Sequence, residues 1–233
     1  MARQRRRGAA TVGVVLVLAM AGAACGGGEG GEGGEGRRSV PGSLSRAESA
    51  AEDTIDLILA GKRDEAVRSA GNLDKLAHGD LEEDLAGTAS KEELGEFQAR
   101  AAEVVRLAPE GQPIAVALAA NRTFELVVRF FGRYQTDVPG SVLFLDYLDF
   151  EAKLRALAHE LDPVRATVAQ LSKTWGELAP SLPSGEKAAT ARTQFEAHVA
   201  AMTTLVAAGT DFDGMAKEAQ HGLDLVDEIE AVY

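Results

Sequence analysis

The chain has 233 residues, is 45% hydrophobic but only 5% aromatic, holds one cysteine and carries a formal net charge of −12. A single cysteine excludes an intrachain disulfide and a thiolate cluster within one chain. An acidic chain repels nucleic-acid phosphates, so no nucleic-acid partner is expected. The charge is unevenly spread: Arg3, Arg5, Arg6 and Arg7 precede Cys25 and no acid does, so of 24 basic and 36 acidic residues the part from Cys25 onward keeps 20 and 36, a net −16. A core poor in aromatics and built mainly from Leu, Val and Ala suits helix packing better than a sheet.

The N-terminus reads as an address. Met1 to Arg7 is basic, Gly8 to Ala24 is uncharged and contains the apolar run Val12 to Met20, and Ala21-Gly22-Ala23-Ala24 is a run of small residues. This layout is a secretory signal peptide over residues 1–24; a spanning helix needs a longer stretch less diluted by Gly and Ala. Gly22-Ala23-Ala24-Cys25 resembles the lipobox of bacterial lipoproteins, departing from it where Gly22 replaces the usual Leu-like residue. The resemblance implies that Cys25 becomes the mature N-terminus and carries acyl chains such as palmitate. That would anchor the protein to the cell membrane, on the extracytoplasmic side of the envelope. Ala21-Gly22-Ala23 also fits ordinary signal-peptidase cleavage, which would give a secreted soluble protein instead. Residues 25–43 follow as a Gly/Glu-rich tether with almost nothing to bury, and are expected to be disordered. As a Gly-rich coil, residues 26–43 span roughly 23 Å.

From Leu44 onward the periodicity is helical, with no alternating β-branched run and no Asn-Gly turn. The predicted fold is all-α, with about eight mostly antiparallel helices. Ser45-Arg46-Ala47-Glu48 reads as a capping box opening the first, to about Ala60. Asp64 reads as the cap of the second, to about Ala77, and a polar stretch containing glycine follows. Ser90-Lys91-Glu92-Glu93 is a capping box for the third, to about Ala108, and Pro113 is the first-turn proline of the fourth, to about Tyr134. Pro139-Gly140 breaks the chain before the fifth, whose apolar stripe is Leu143, Tyr147, Phe150, Leu154, Leu157 and Leu161. Asp162-Pro163 opens the sixth, to about Leu178. Pro180 to Gly185 is a loop, the seventh spans about Glu186 to Ala208, and the eighth follows Gly209 to Asp211 and ends at Tyr233.

The two sets of four helices overlay at a shift of 98 residues. Asp64 meets Asp162, Leu73 meets Leu171, Phe97 meets Phe195, Leu107 meets Leu205 and Gly111 meets Gly209. One further residue of shift brings Leu126-Val127 onto Leu225-Val226 and Tyr134 onto Tyr233. The expectation is an internal duplication, with four-helix units over 44–135 and 141–233.

Cys25, as the lipidation site, is the one residue assigned a role; no catalytic, cofactor-binding or metal-binding residue is assigned. Glu218-x-x-His221 shares a helical face, but metal-binding bundles need several such donors and only one pair is present. His78 and His159 read as helix-end residues, and His198, mid-helix beside Glu196, as a surface one. Asp146 with Asp149, and Asp224 with Asp227 and Glu228, form acid pairs, which in an acidic chain read as solvated faces. Trp175 reads as a core anchor, and Phe130-Phe131 with Tyr134 as core or as an exposed partner patch.

An exported, duplicated helical domain with a lipobox resembles the imelysin-type iron-uptake lipoproteins in architecture. Their Gly-x-His-x-x-Glu motif is absent: Leu76, Leu157, Glu196 and Ala219 stand two before the histidines, and the nearest spacings are His159-x-x-Asp162 and His221-x-x-Asp224. No functional residue is carried over. The leading expectation is a non-catalytic helical domain, tethered at the membrane through Cys25, that binds an envelope protein or a small ligand. The alternative is a metal-binding uptake accessory, which requires some of His159, His221, Glu218 and Asp224 to converge.

Overall fold

Residues 39–233 of this computed structural model are described; the signal segment, Cys25 and most of the tether lie outside the described residues. Within them the chain forms nine α-helices, α1 (Gly42–Leu59), α2 (Arg63–Ala77), α3 (Asp80–Leu85), α4 (Lys91–Leu107), α5 (Pro113–Phe131), α6 (Gly140–Leu157), α7 (Leu161–Leu178), α8 (Glu186–Ala208) and α9 (Phe212–Glu230), with a 3-10 turn at Ala179–Ser181 and no sheet. The all-α prediction holds. None of these helices is long and apolar enough to cross a membrane.

The starts and stops follow local chemistry in several places. Ser90 and Glu93 form the reciprocal capping box that opens α4, and Pro113 sits in the first turn of α5, where its missing N–H costs nothing. Gly209 closes α8 in the left-handed conformation, φ 71°, which glycine adopts without steric cost. Arg63 caps from a distance, donating to the carbonyls of Ala108 (2.7 Å) and Gly111 (2.9 Å) beyond the end of α4. Ser90→Ala removes the hydroxyl half of the box, the bond accepted from the Glu93 N–H, and is expected to cost about 1 kcal/mol, read as a lower denaturant midpoint at unchanged slope.

Three local expectations need correction. The chain turns helical at Gly42 after Pro41, so Ser45 lies inside α1, and its hydroxyl caps nothing. Asp64 and Asp162 lie in the first turns of α2 and α7, while Lys62 and Glu160 occupy the cap positions. The polar stretch after α2 holds a helix of its own, α3. It is six residues long and is pinned by the Ser43 hydroxyl on Asp84 and by the Tyr134 hydroxyl, which donates to the Asp84 carbonyl (3.4 Å).

The long helices pack as two rings of four. In the first, α1 meets α2 and α5, and α4 closes the ring between α2 and α5; in the second, α6 meets α7 and α9, and α8 closes it. The registers correspond. Helices α1 and α6 both follow a proline, Pro41 and Pro139, and begin 98 residues apart at Gly42 and Gly140. Helices α5 and α9 begin 99 residues apart, at Pro113 and Phe212. Phe97 and Phe195 are both buried, as are Leu73 and Leu171, and Leu126-Val127 and Leu225-Val226.

Helix α5 packs on α6 and joins the rings. Phe150 and Leu154 of α6 and Leu223 of α9 belong to the core of the first ring, with the Phe150 ring edge-on to Phe124 at 6.3 Å. Helix α6 therefore buries more than one face. Val142, Leu145 and Leu148 point to its own ring, Phe150 and Leu154 to the other, and Leu143, Tyr147 and Leu157 of the predicted stripe are only half-buried. Phe130, Phe131 and Tyr134 are buried core, and so is Trp175, packed on Phe195 with ring centroids 4.6 Å apart.

Candidate functional site

The first ring has one continuous apolar core, but the second has two. One gathers Leu145, Leu148, Trp175, Phe195 and Val226; the other gathers Ala152, Ala156, Met202, Met215 and Ala219. Between them in the register of α6, α8 and α9 lies a polar layer. His198 of α8 reaches Asp149 Oδ1 of α6 through Nε2 (3.0 Å) and Glu218 Oε1 of α9 through Nδ1 (3.0 Å). The side chains of Asp149 and His198 are 0% exposed and that of Glu218 is 24% exposed. The second oxygen of Asp149 is buried without a partner among the described residues.

Gly222 makes the layer possible. A Cβ there would run into the Asp149 carboxyl group and come within 2.5 Å of His198 Nε2, so this position of α9 must lack a side chain for α6 and α8 to approach. The layer is confined to one ring: at the matching positions of the first stand Ala51, Arg100, Ala119 and Thr123.

Two carboxylates on one ring favour the imidazolium. Burial works against that charge, but the hydrogen bonds and charges of Asp149 and Glu218 outweigh it, and His198 titrates above the ordinary histidine value. Burial pushes the Asp149 carboxyl upward and the His198 bond draws it back. With both ring nitrogens engaged by carboxylates, His198 has none free to take a proton from a nucleophile.

The expectation that His198 is a surface residue is therefore wrong, and so is the solvated-face reading of Asp149. The signal was present in the sequence. His198 falls in the stripe Ala191, Phe195, Met202, Val206, and Asp149 in the stripe Leu145, Ala152, Ala156; a polar residue inside an apolar stripe points inward. His221 lies on the exposed side of the layer, its ring 6.4 Å from that of His198. His159 is elsewhere, in the turn after α6 and packed on Phe212 at 4.7 Å, and Asp224 faces a separate groove. His78 caps the end of α2. Of the four residues the metal reading needed, the structure brings together Glu218 and His221, and adds His198. Among the described residues no three His, Cys, Asp or Glu side chains converge closely enough to hold a metal ion as they stand.

The groove that Asp224 faces is the second feature. It is a cleft of about 430 Å³ between the rings, where α1 faces α6 and α9. Glu48, Glu52 and Asp56 line it at intervals of four along α1, with Asp146 from α6 and Asp224, Asp227 and Glu230 from α9. Glu48 is pushed up to about 8 by burial and by the charges of Glu52 and Glu230. Glu52 is pushed up to about 7 by burial, against the hydrogen bond it shares with Asp146, and Asp146 is raised by burial and by Glu52. Lys153 brings positive charge to the groove, acting on Asp56, Asp224 and Asp146. Its ammonium donates to Gln220 Oε1 (2.6 Å) and sits over the Phe150 ring.

No protein-family model matches the chain, and neither a curated protein nor a solved structure matches it.

Proposed function

We propose that this chain is an exported protein, held at the outer side of the cell membrane by acylated Cys25, whose helical domain binds a small organic cation in the cleft between its rings without catalysing a reaction. The signal-like N-terminus, the small residues before Cys25 and the tether support export and anchoring.

The observation that carries the binding reading is the cleft. Seven carboxylates from three helices share one groove. Two of them, Glu48 and Glu52, hold their protons near neutral pH because they are half-buried and crowded by further carboxylates. Such an arrangement is costly to folding and is relieved by a positive ligand. The volume suits a small molecule, and the carboxylate spacing along α1 suits several amines in one chain.

Spermidine serves as the probe. It is expected to raise the melting temperature at pH 8, where the cleft is largely ionised, and to lose that effect in a Glu52→Gln, Asp227→Asn double variant. An unchanged melting temperature at saturating spermidine would end the cleft reading. Anchoring is tested separately: labelled palmitate should enter the wild-type chain in cells and not Cys25→Ala, and equal labelling of both would end the lipidation reading.

A further inference from the structure

We propose that Asp149, His198 and Glu218 form a proton-operated latch. While both ring nitrogens carry hydrogen it ties the start of α9 to α8; the loss of one proton frees Glu218 to solvent and loosens that part of α9. The latch lies apart from the cleft and does not depend on a ligand there.

Counting protons fixes the closed state. A carboxylate oxygen stands 3.0 Å from each ring nitrogen. At that distance a nitrogen and a carboxylate oxygen need a hydrogen between them, because two lone pairs would otherwise face each other. Two contacts therefore take two protons, whichever of the three groups holds them, and the imidazolium supplies both. A neutral imidazole supplies one, so one contact must be given up.

Burial decides which. The Asp149 side chain is 0% exposed, whereas that of Glu218 is 24% exposed. Asp149 has no route to water, and an unpaired carboxylate at its position would be costly. Glu218 reaches water by a change of rotamer. The remaining proton therefore stays on Nε2, which donates to Asp149, and Glu218 leaves Nδ1. Its bond to His198 is the only side-chain hydrogen bond between α8 and α9 among the described residues. Without it the start of α9 is held by the apolar contacts of Phe212, Met215, Ala216 and Ala219. Two of these are alanines, which bury little area, so this segment opens more readily.

The neighbours leave the titration to these groups. From α6 Asp149 faces the ring, and from α9 Glu218 and His221 do. The buried residues of α7 are Val164, Val168, Leu171, Trp175 and Leu178, all apolar, and on α8 itself Phe195 packs edge-on to the ring. Burial lowers the His198 value, but the hydrogen bonds and charges of Asp149 and Glu218 outweigh it and place His198 above the ordinary histidine value of 6.5. The folded chain thus holds this proton more tightly than the unfolded chain. The latch is closed below 6.5 and opens as pH rises through the folded value.

Amide hydrogen exchange of the full chain in detergent tests the latch, followed from about pH 6 to about pH 10 and corrected for the intrinsic pH dependence of exchange. Protection of Phe212–Ala219 relative to α8 should fall at least about tenfold across the range, the loss of one charge-assisted hydrogen bond. The His198 ring resonance, assigned by its contact with Phe195, should titrate over the same pH interval. Glu218→Gln, whose amide N–H can donate to an unprotonated Nδ1, should keep α9 protected at both ends of the range. His221→Gln, at an exposed position, and Glu52→Gln, in the cleft, should leave the step in place. Equal protection of Phe212–Ala219 at both pH values in the wild type would overturn the latch. So would an undiminished step in Glu218→Gln, or a step that Glu52→Gln abolishes.

Discussion

His198→Ala is expected to destabilise the helical domain by about 3–5 kcal/mol near pH 8, several times the cost of an ordinary surface substitution. The reason is what the substitution leaves behind. Asp149 is fully buried, its Oδ1 is held by His198, and its other oxygen has no partner among the described residues. Without the ring, an ionised carboxyl would sit uncompensated between two apolar layers. The loss should shrink as pH falls, because Asp149 then takes up a proton rather than stay charged. The double variant Asp149→Ala, His198→Ala strands no charge, so it should cost clearly less than the two single costs added together. Denaturant unfolding of all four proteins at two pH values measures this. Strictly additive costs would mean that the two side chains do not stabilise each other.

Global stability should fall as pH rises from about 5 to about 8.5, the reverse of what paired surface carboxylates produce. The unfolded chain releases the Glu48 and Glu52 protons near 4.5, whereas the folded chain keeps them to about 8 and about 7. Across that window the folded state binds more protons. The stabilisation is therefore complete below about 4.5 and is lost as pH climbs through 7 and 8. Glu93 works in the opposite sense. Its hydrogen bonds from Arg133 and the Ser90 backbone N–H lower it to about 2, so its contribution is lost only in strong acid. Glu52→Gln should raise stability by about 1–2 kcal/mol at pH 8.5, after allowing for the openness of the cleft, and change little at pH 5. Added salt should stabilise the wild-type protein at high pH by screening the same repulsion. A melting temperature that climbs steadily between pH 5 and pH 8.5 would contradict the reading of the cleft as a set of carboxylates forced together.

The sequence by itself determined what depends on neighbours a few residues away. The Ser90 capping box, Pro113 in a first turn, Gly209 after α8 and the bounds Glu186–Ala208 are all local matters of backbone geometry and short-range hydrogen bonding. They made the all-α class and most helix positions legible. The 98-residue correspondence is likewise a property of the sequence, and both members of the pairs Phe97 and Phe195, and Leu73 and Leu171, are buried. Tertiary structure decided the rest. Helix α3 is too short to stand alone and depends on Ser43 and Tyr134, which are 41 and 50 residues from their partner Asp84. Asp149 meets His198 across 49 residues and Glu218 meets it across 20. The periodicity of one helix shows which face turns inward but not which residues of other helices wait there. For the same reason Asp146, Asp224 and Asp227 read as solvated faces until the fold sets them in one groove with Glu48, Glu52 and Asp56 of α1.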